Sequence, residues 1–157
     1  ANITIIDITT KQKRVILEGE RAKRYSQIYW NMEWSPDSRH LCFKGSIRGG
    51  EANSSETATT SIEGSSVAFR VLTSEVTDTD FGWHPDGSRI LISKNSPLHR
   101  GPKLFVCDLK TGAIELLATQ PLDMPNHSGV WSPDGKQIAF VSRRDPEAIP
   151  WRPVVTR

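Results

Sequence analysis

The residues that could do chemistry in this 157-residue sequence are few. Of four histidines, His40, His84, His99 and His127, no two stand at the spacing of metal ligands. His127 stands just before an expected innermost strand, whose side chains can reach a central channel, and Asp80 holds the similar place one repeat earlier, so a bound metal or a general base is the chemistry to weigh there. Asp37, Asp86 and Asp134 also recur, but each follows a proline, and turn chemistry accounts for them. The larger group is basic. Arg21, Lys23 and Arg24 lie in one polar connection; Lys44, Arg48, Lys94, His99, Arg100, Lys103, Arg143 and Arg144 lie in others, opposed by Glu51 and Asp145. Arginine forks hold carboxylates, so this set reads either as an anion site or as a solvated rim. There is no Gly-x-Ser-x-Gly elbow, phosphate loop, paired-cysteine zinc pattern or dinucleotide fingerprint. The expectation is no catalytic residue, no metal and no cofactor, with partner binding through Arg21, Arg24, Arg48, Asp80, His99, Arg100, His127, Arg143 and Arg144.

A sentence of ten residues written three times must position them. Residues 131–140 read Trp-Ser-Pro-Asp-Gly-Lys-Gln-Ile-Ala-Phe; residues 34–43 and 83–92 repeat it, with Ser38 in place of the glycine and His84 in place of the serine. Trp34, Trp83 and Trp131 are 49 and 48 residues apart. A fixed period of this size marks a repeat architecture, and the unit is that of a propeller blade. Proline presets φ for the turn, and Asp then Gly suit the next positions, so each copy is a tight hairpin turn. The strands that follow it, Leu41 to Phe43, Ile90 to Ile92 and Ile138 to Val141, are apolar on consecutive residues, which requires cover on both faces. The three tryptophans are expected to pack in cores.

The remaining strands fall into place around these turns. Asn2 to Ile8 and Arg14 to Leu17 match Leu104 to Leu109 and Ile114 to Leu117, the last two strands of a blade. The expected organisation is 1–19 as two outer strands, 28–73 and 78–119 as complete blades, 128–143 as two inner strands, and 146–157 as a Pro-rich tail or linker, with repeats over 1–145. Residues 18–27 are expected to be a polar connection, and Ser54 to Ser61, with no large apolar residue, an exposed outer strand or a loop. Long loops are expected at 44–55, 93–103 and 142–150, on the same face as the connections between blades. The fold class is all-β, a propeller of four-stranded antiparallel blades, about three in this chain. Propellers have 4–8 blades. An open blade face of about 400 Å² would forfeit about 10 kcal/mol at ~25 cal/mol/Å², comparable to the stability of a whole domain. The chain is therefore expected to be half of a six-bladed ring, completed by further residues or by self-association with a second copy.

A net charge of +2 with 24% charged residues points to no nucleic-acid partner, and no apolar run approaches the ~20 residues of a membrane span. Cys42 and Cys107 lie in apolar strands of different blades and are read as buried thiols. No signal-peptide pattern is visible, as in a mature secreted or a cytoplasmic protein.

The repeats resemble those of the TolB-like β-propeller family, whose signature residues 131–140 match almost letter for letter. The resemblance covers most of the chain and is thinnest over 50–66. It implies a bacterial, periplasmic propeller that binds partner proteins. Similar repeats occur in carbohydrate-active lyases and in prolyl-oligopeptidase-type propellers. The expected function is accordingly a scaffold that binds a protein or peptide on its long-loop face, with whether it is an enzyme left open. The alternatives are a lyase-like enzyme with a site near His127 and a gating domain of a peptidase.

Overall fold

The repeated turn sets the local structure. In the computed structural model, which describes residues 1–50, 54–63, 69–74, 76–143 and 154–155, the Ser35 hydroxyl donates to the Asp37 carboxylate (2.6 Å) and accepts the His40 N–H (2.9 Å). Ser132 does the same with Asp134 (2.6 Å) and the Gln137 N–H (2.9 Å). In the second copy Ser88 supplies the hydroxyl, 2.6 Å from Asp86. These bonds, the hydroxyl's first, hold Asp37, Asp86 and Asp134 below the usual carboxylate range. The fourth turn residue has positive φ in all three copies: Ser38 (59°), Gly87 (74°) and Gly135 (69°). A second turn type is also repeated. Asp7 accepts the N–H groups of Thr9 and Thr10 (2.8 and 2.7 Å), and Asp108 those of Lys110 and Thr111 (2.9 and 2.7 Å).

The chain divides into two compact units, Ala1–Ser74 and Glu75–Arg157. In the first, β1 (Ile3–Ile6) and β2 (Lys13–Leu17) form a two-stranded sheet. A short helix α1 (Gly19–Lys23) leads to the four-stranded antiparallel meander β3 (Tyr25–Trp34), β4 (His40–Ile47), β5 (Ser55–Ser61) and β6 (Arg70–Ser74). Ile3, Ile16 and Leu17 meet Tyr25, Leu41, Phe43 and Ala58 in one core. The second unit repeats the meander as β7 (Val76–Trp83), β8 (Arg89–Ser96), β9 (His99–Asp108) and β10 (Ile114–Leu116). It ends in β11 (Asn126–Trp131) and β12 (Ile138–Ser142), with β13 (Val154–Val155) on β12. Ile90, Leu91 and Ile92 are all buried, as their unbroken apolar run requires. The fold is nearly all-β, and each of the two meanders is a four-stranded antiparallel sheet. Cys42 and Cys107 are buried as thiols on β4 and β9. No helix among the described residues is long and apolar enough to cross a membrane.

Four expectations are corrected. Residues 55–61 are neither loop nor exposed strand: β5 is buried along its whole length. Thr57, Thr59 and Thr60 are β-branched and suit a pleated strand, and both edges of β5 are paired, with Phe43 opposite Ala58 and Ala58 opposite Val71. The connection 18–27 holds α1 and the start of β3. The stretch 93–103 is a β-ribbon rather than a long loop, because β8 and β9 stay paired out to Ser96 and His99; β4 likewise runs on to Ile47. The tryptophans are not uniformly core residues. Trp34 is 50% exposed, while Trp83 and Trp131 are half-buried. Residues 144–153 and 156–157, most of the expected tail, lie outside the described residues.

Glu56 is the one carboxylate buried in β5, at 1% exposure. Arg24 grips it with Nε and Nη2, both at 2.7 Å, and the Tyr25 hydroxyl donates to it at 2.6 Å. Burial first, then this bond to the carboxylate, raises the Tyr25 pKa. Gly45 leaves room for the Tyr25 ring. Removing Arg24 strands a buried charge. Arg24→Ala is therefore expected to lower the unfolding free energy by about 3 kcal/mol, and Glu56→Gln by less, in guanidinium titrations; an equal effect below 1 kcal/mol for both would make the pair a surface one. The depressed aspartates have folded-state values below their unfolded ones. Their contribution is complete above an unfolded value of about 3.9 and is lost as pH falls through the folded values. Thermal melts from pH 7 to pH 2 should lose stability chiefly below about pH 4.

Candidate functional site

In the first unit the basic residues are drawn into the structure. Arg24 holds Glu56, and that hydrogen bond raises its own pKa. The Arg48 guanidinium donates to the carbonyls of Lys23 (2.9 Å) and Tyr25 (3.0 Å), and its N–H donates to the Arg24 carbonyl (2.8 Å), so it clamps the end of α1. Arg21 sits on α1. The structure thus brings Arg24 and Arg48 together, in structural roles.

In the second unit the ribbon, the β10–β11 connection and Arg143 converge on Pro125. A Cβ on Gly101 would lie 2.9 Å from the Pro125 ring, and the Arg143 N–H donates to the Pro125 carbonyl (3.1 Å). Lys103 is fully buried, with Nζ on the carbonyls of Arg100 (2.6 Å) and Pro102 (3.3 Å). Burial lowers its pKa, and Asp123 opposes the shift. Behind it, Asn126 donates to the Gln120 side chain (3.0 Å) and the Pro121 carbonyl (2.6 Å) and accepts from Ser142 (2.5 Å). Gln120 in turn spans the carbonyls of Leu104 and Leu117, both at 2.8 Å. This buried network fixes the base from which the ribbon projects.

The ribbon tip holds two of the expected residues. His99 Nδ1 lies 3.0 Å from the Ser96 hydroxyl, which also accepts the Leu98 N–H (3.3 Å). Leu98 is 84% exposed and Arg100 is exposed beside it. Leu98 was not among the expected residues; a large apolar side chain after proline in a polar ribbon was the available signal. His127 lies on β11 opposite Val141, its Nδ1 3.0 Å from the Ser128 hydroxyl. Among the described residues no three His, Cys, Asp or Glu side chains gather as metal ligands. Asp80 lies on β7, its side chain outside the described set, and Arg144 lies outside the described residues.

His84 forms a junction between the second and third repeat turns. Its Nδ1 is 2.8 Å from Asp86 Oδ1 and its Nε2 is 2.9 Å from an Arg89 Nη. An Nδ1–H tautomer donates to the carboxylate and accepts from the guanidinium. The ring stands edge-on to Trp131, centroids 4.7 Å apart, and Arg89 lies 5.4 Å over the same indole. Beyond them a cleft of about 600 Å³ opens, lined by Arg89, Val106, Asp108, Leu116 and Trp131.

No protein-family model and no curated protein matches the sequence. Solved structures do match. TolB from Acinetobacter baumannii aligns with a TM-score of 0.62 and 20% identity over 91% of this chain and 32% of its own. The putative TolB from Agrobacterium tumefaciens gives 0.68 and 18% over 90% and 47%. An oligogalacturonate lyase in complex with manganese gives 0.61 and 19% over 88% and 37%. The chain spans less than half the length of each of these structures. The likeness is one of fold, that of TolB-like β-propeller blades.

A Cβ on Gly135 would fall 2.5 Å from His84 Nε2, at a position whose φ already disfavours side chains. Gly135→Ala should cost about 1–2 kcal/mol from backbone strain alone, plus the clash. In a double-mutant cycle, His84→Ser should recover only the clash portion. Additive effects would mean that the two positions do not touch.

Proposed function

We propose that the protein is a non-catalytic propeller scaffold that binds a protein or peptide through the β8–β9 ribbon. The supporting observation is the braced, exposed Leu98 beside Arg100. An apolar anchor on a turn limited by Pro97 loses little freedom on binding, and an arginine beside it suits a carboxylate. The ligand class that fits is an acidic peptide with an apolar side chain. The Lys94 ammonium, 5.3 Å over the Phe105 ring, adds positive charge further down the ribbon. The lyase and peptidase-gate readings rest on fold likeness alone, and fold does not carry activity.

Selection of a displayed peptide library on the full chain should enrich acidic peptides with an apolar residue. Their affinity should fall at least tenfold, about 1.4 kcal/mol, in the Leu98→Ser and Arg100→Glu variants. Unchanged affinity in both would remove the ribbon as the site, and manganese-dependent cleavage of oligogalacturonate would replace this reading with the enzymatic one.

A further inference from the structure

The two nitrogens of the His84 ring face different demands. At Nδ1 the nearest acceptor is Asp86 Oδ1, at 2.8 Å; the Asp86 N–H is 3.2 Å away. A carboxylate oxygen that close places a proton on Nδ1. At Nε2 two groups compete. Arg89 Nη2 lies at 2.9 Å and can only donate; the Gly135 carbonyl lies at 3.3 Å and can only accept. One ring nitrogen cannot serve both. Bare, it takes the guanidinium; protonated, it takes the carbonyl.

The rest of the junction holds in either state. Backbone bonds close the second repeat turn, from the Gly87 N–H to the His84 carbonyl (2.8 Å) and from the His84 N–H to the Arg89 carbonyl (2.9 Å). Ser88, through its hydroxyl first and its N–H second, holds the Asp86 carboxyl below the usual carboxylate range. Asp86 therefore stays charged wherever an imidazole titrates. From the third turn the ring meets Trp131 and Gly135. The charged neighbours there, Asp134 and Lys136, are exposed, and the Asp134 carboxylate is taken up by Ser132 and the Lys136 N–H. Arg89 has acceptors other than the ring. The same Nη2 is 3.4 Å from Asp86 Oδ2, and Asp108 stands directly opposite Arg89 on β9. The ring is nearly enclosed, with His84 only 8% exposed, and the missing side chain of Gly135 admits it to the backbone of the third turn.

We propose that His84 is a proton-operated switch between the second and third repeat turns. With the ring neutral, Nδ1–H donates to Asp86 and Nε2 accepts from Arg89, whose guanidinium lies over Trp131. When a proton from solvent binds Nε2, that nitrogen donates to the Gly135 carbonyl instead. The two turns gain a hydrogen bond, and the imidazolium keeps Asp86 as its counter-ion. Imidazolium and guanidinium now repel, so Arg89 leaves Nε2 for Asp86 Oδ2 and for Asp108 across the strand pair. Acidification thus exchanges a contact within one repeat for a contact between two, and it frees a guanidinium. Imidazole changes charge between about pH 5 and 8, so the exchange falls in a range that proteins meet. Ser35 and Ser132, at the same place in the other two turns, have no such proton to gain.

The switch does not depend on the peptide-binding reading. Nuclear magnetic resonance of the full chain, isotope-labelled at nitrogen, follows the His84 ring, the Arg89 side chain and the Lys136 amide from about pH 8 to about pH 5. The Lys136 amide reports on the Gly135 carbonyl because the two share one peptide unit. At the upper end Nδ1 should be protonated and Nε2 bare. At the lower end both should carry protons, and the Arg89 and Lys136 signals should move with the same midpoint as the ring. In His84→Ser, which restores the serine of the other two turns, both movements should vanish. Arg89→Met keeps a long side chain against Trp131 but removes the competing donor, so the ring midpoint should rise by about one pH unit. The proposal is overturned by a ring that stays neutral, by a neutral ring protonated at Nε2, or by Arg89 or Lys136 signals that do not follow the ring. It is equally overturned by a midpoint that Arg89→Met leaves unmoved or lowers. Should His84→Ser fail to fold, the comparison with Arg89→Met decides alone.

Discussion

A thin sheet with apolar side chains on both faces has to be covered twice. Leu41, Cys42 and Phe43 on β4, and Ile90, Leu91 and Ile92 on β8, are consecutive and all buried, so neither strand has a solvent side. Within the first unit β1–β2 covers one face of its sheet through Ile16 and Leu17. Within the second, β11 covers its neighbour through Gly129, whose missing side chain admits Leu91 and Leu104. Each apolar side chain so buried contributes roughly 1.5–3 kcal/mol. The repeat exists because one such sheet is viable only beside others.

The same constraint explains how a polar strand survives in the middle of a sheet. β5 offers Ala58 as its one apolar residue, yet it is buried throughout. Ladder bonds on both edges satisfy its backbone. Its lone charge is neutralised where it enters the sheet: Arg24 reaches in from a partly exposed position, and Tyr25 adds a third hydrogen bond over the space that Gly45 leaves open. A buried carboxylate held in this way sets which residue of β5 faces Tyr25. A slip of one residue would leave Glu56 uncompensated on the wrong face. The polar strand thereby fixes its own register, which Thr and Ser alone would specify weakly.

The turns were legible from sequence because their chemistry is local. Pro36, Asp37 and Ser35 determine the first turn without help from elsewhere, and its strands follow from runs such as Ile90 to Ile92. What was illegible depended on distant partners. Nothing near Ser55 to Ser61 indicates burial, because the cover comes from residues such as Leu17 and Phe43. Arg24 and Arg48 resembled ligand-binding arginines because their acceptors, Glu56 and the carbonyls of Lys23 and Tyr25, become neighbours only on folding. Lys44, Lys94 and Lys103 suggested loops, since a charge count cannot show that Lys94 and Lys103 face each other across a paired ribbon. Of the candidate site, His99 and Arg100 were identified but Leu98, the apolar residue just before them, was not.

His84 shows why a departure within a repeat carries more information than the repeat itself. A serine at this place closes the first and third turns with one hydroxyl, and both of those Asp residues are exposed. The second turn faces another turn. An imidazole there packs edge-on against Trp131 of the third repeat and ties Asp86 to Arg89. Serine is too short to reach Trp131, and with the imidazole in its place Ser88 supplies the hydroxyl on Asp86. The glycine of the third turn answers the same substitution, since His84 occupies the space a side chain at 135 would need. The first turn has Ser38 at the corresponding position, with φ at 59°. Copies of one motif therefore diverge where their surroundings differ, and a histidine that resembles a chemical group in isolation serves here as the connection between two turns.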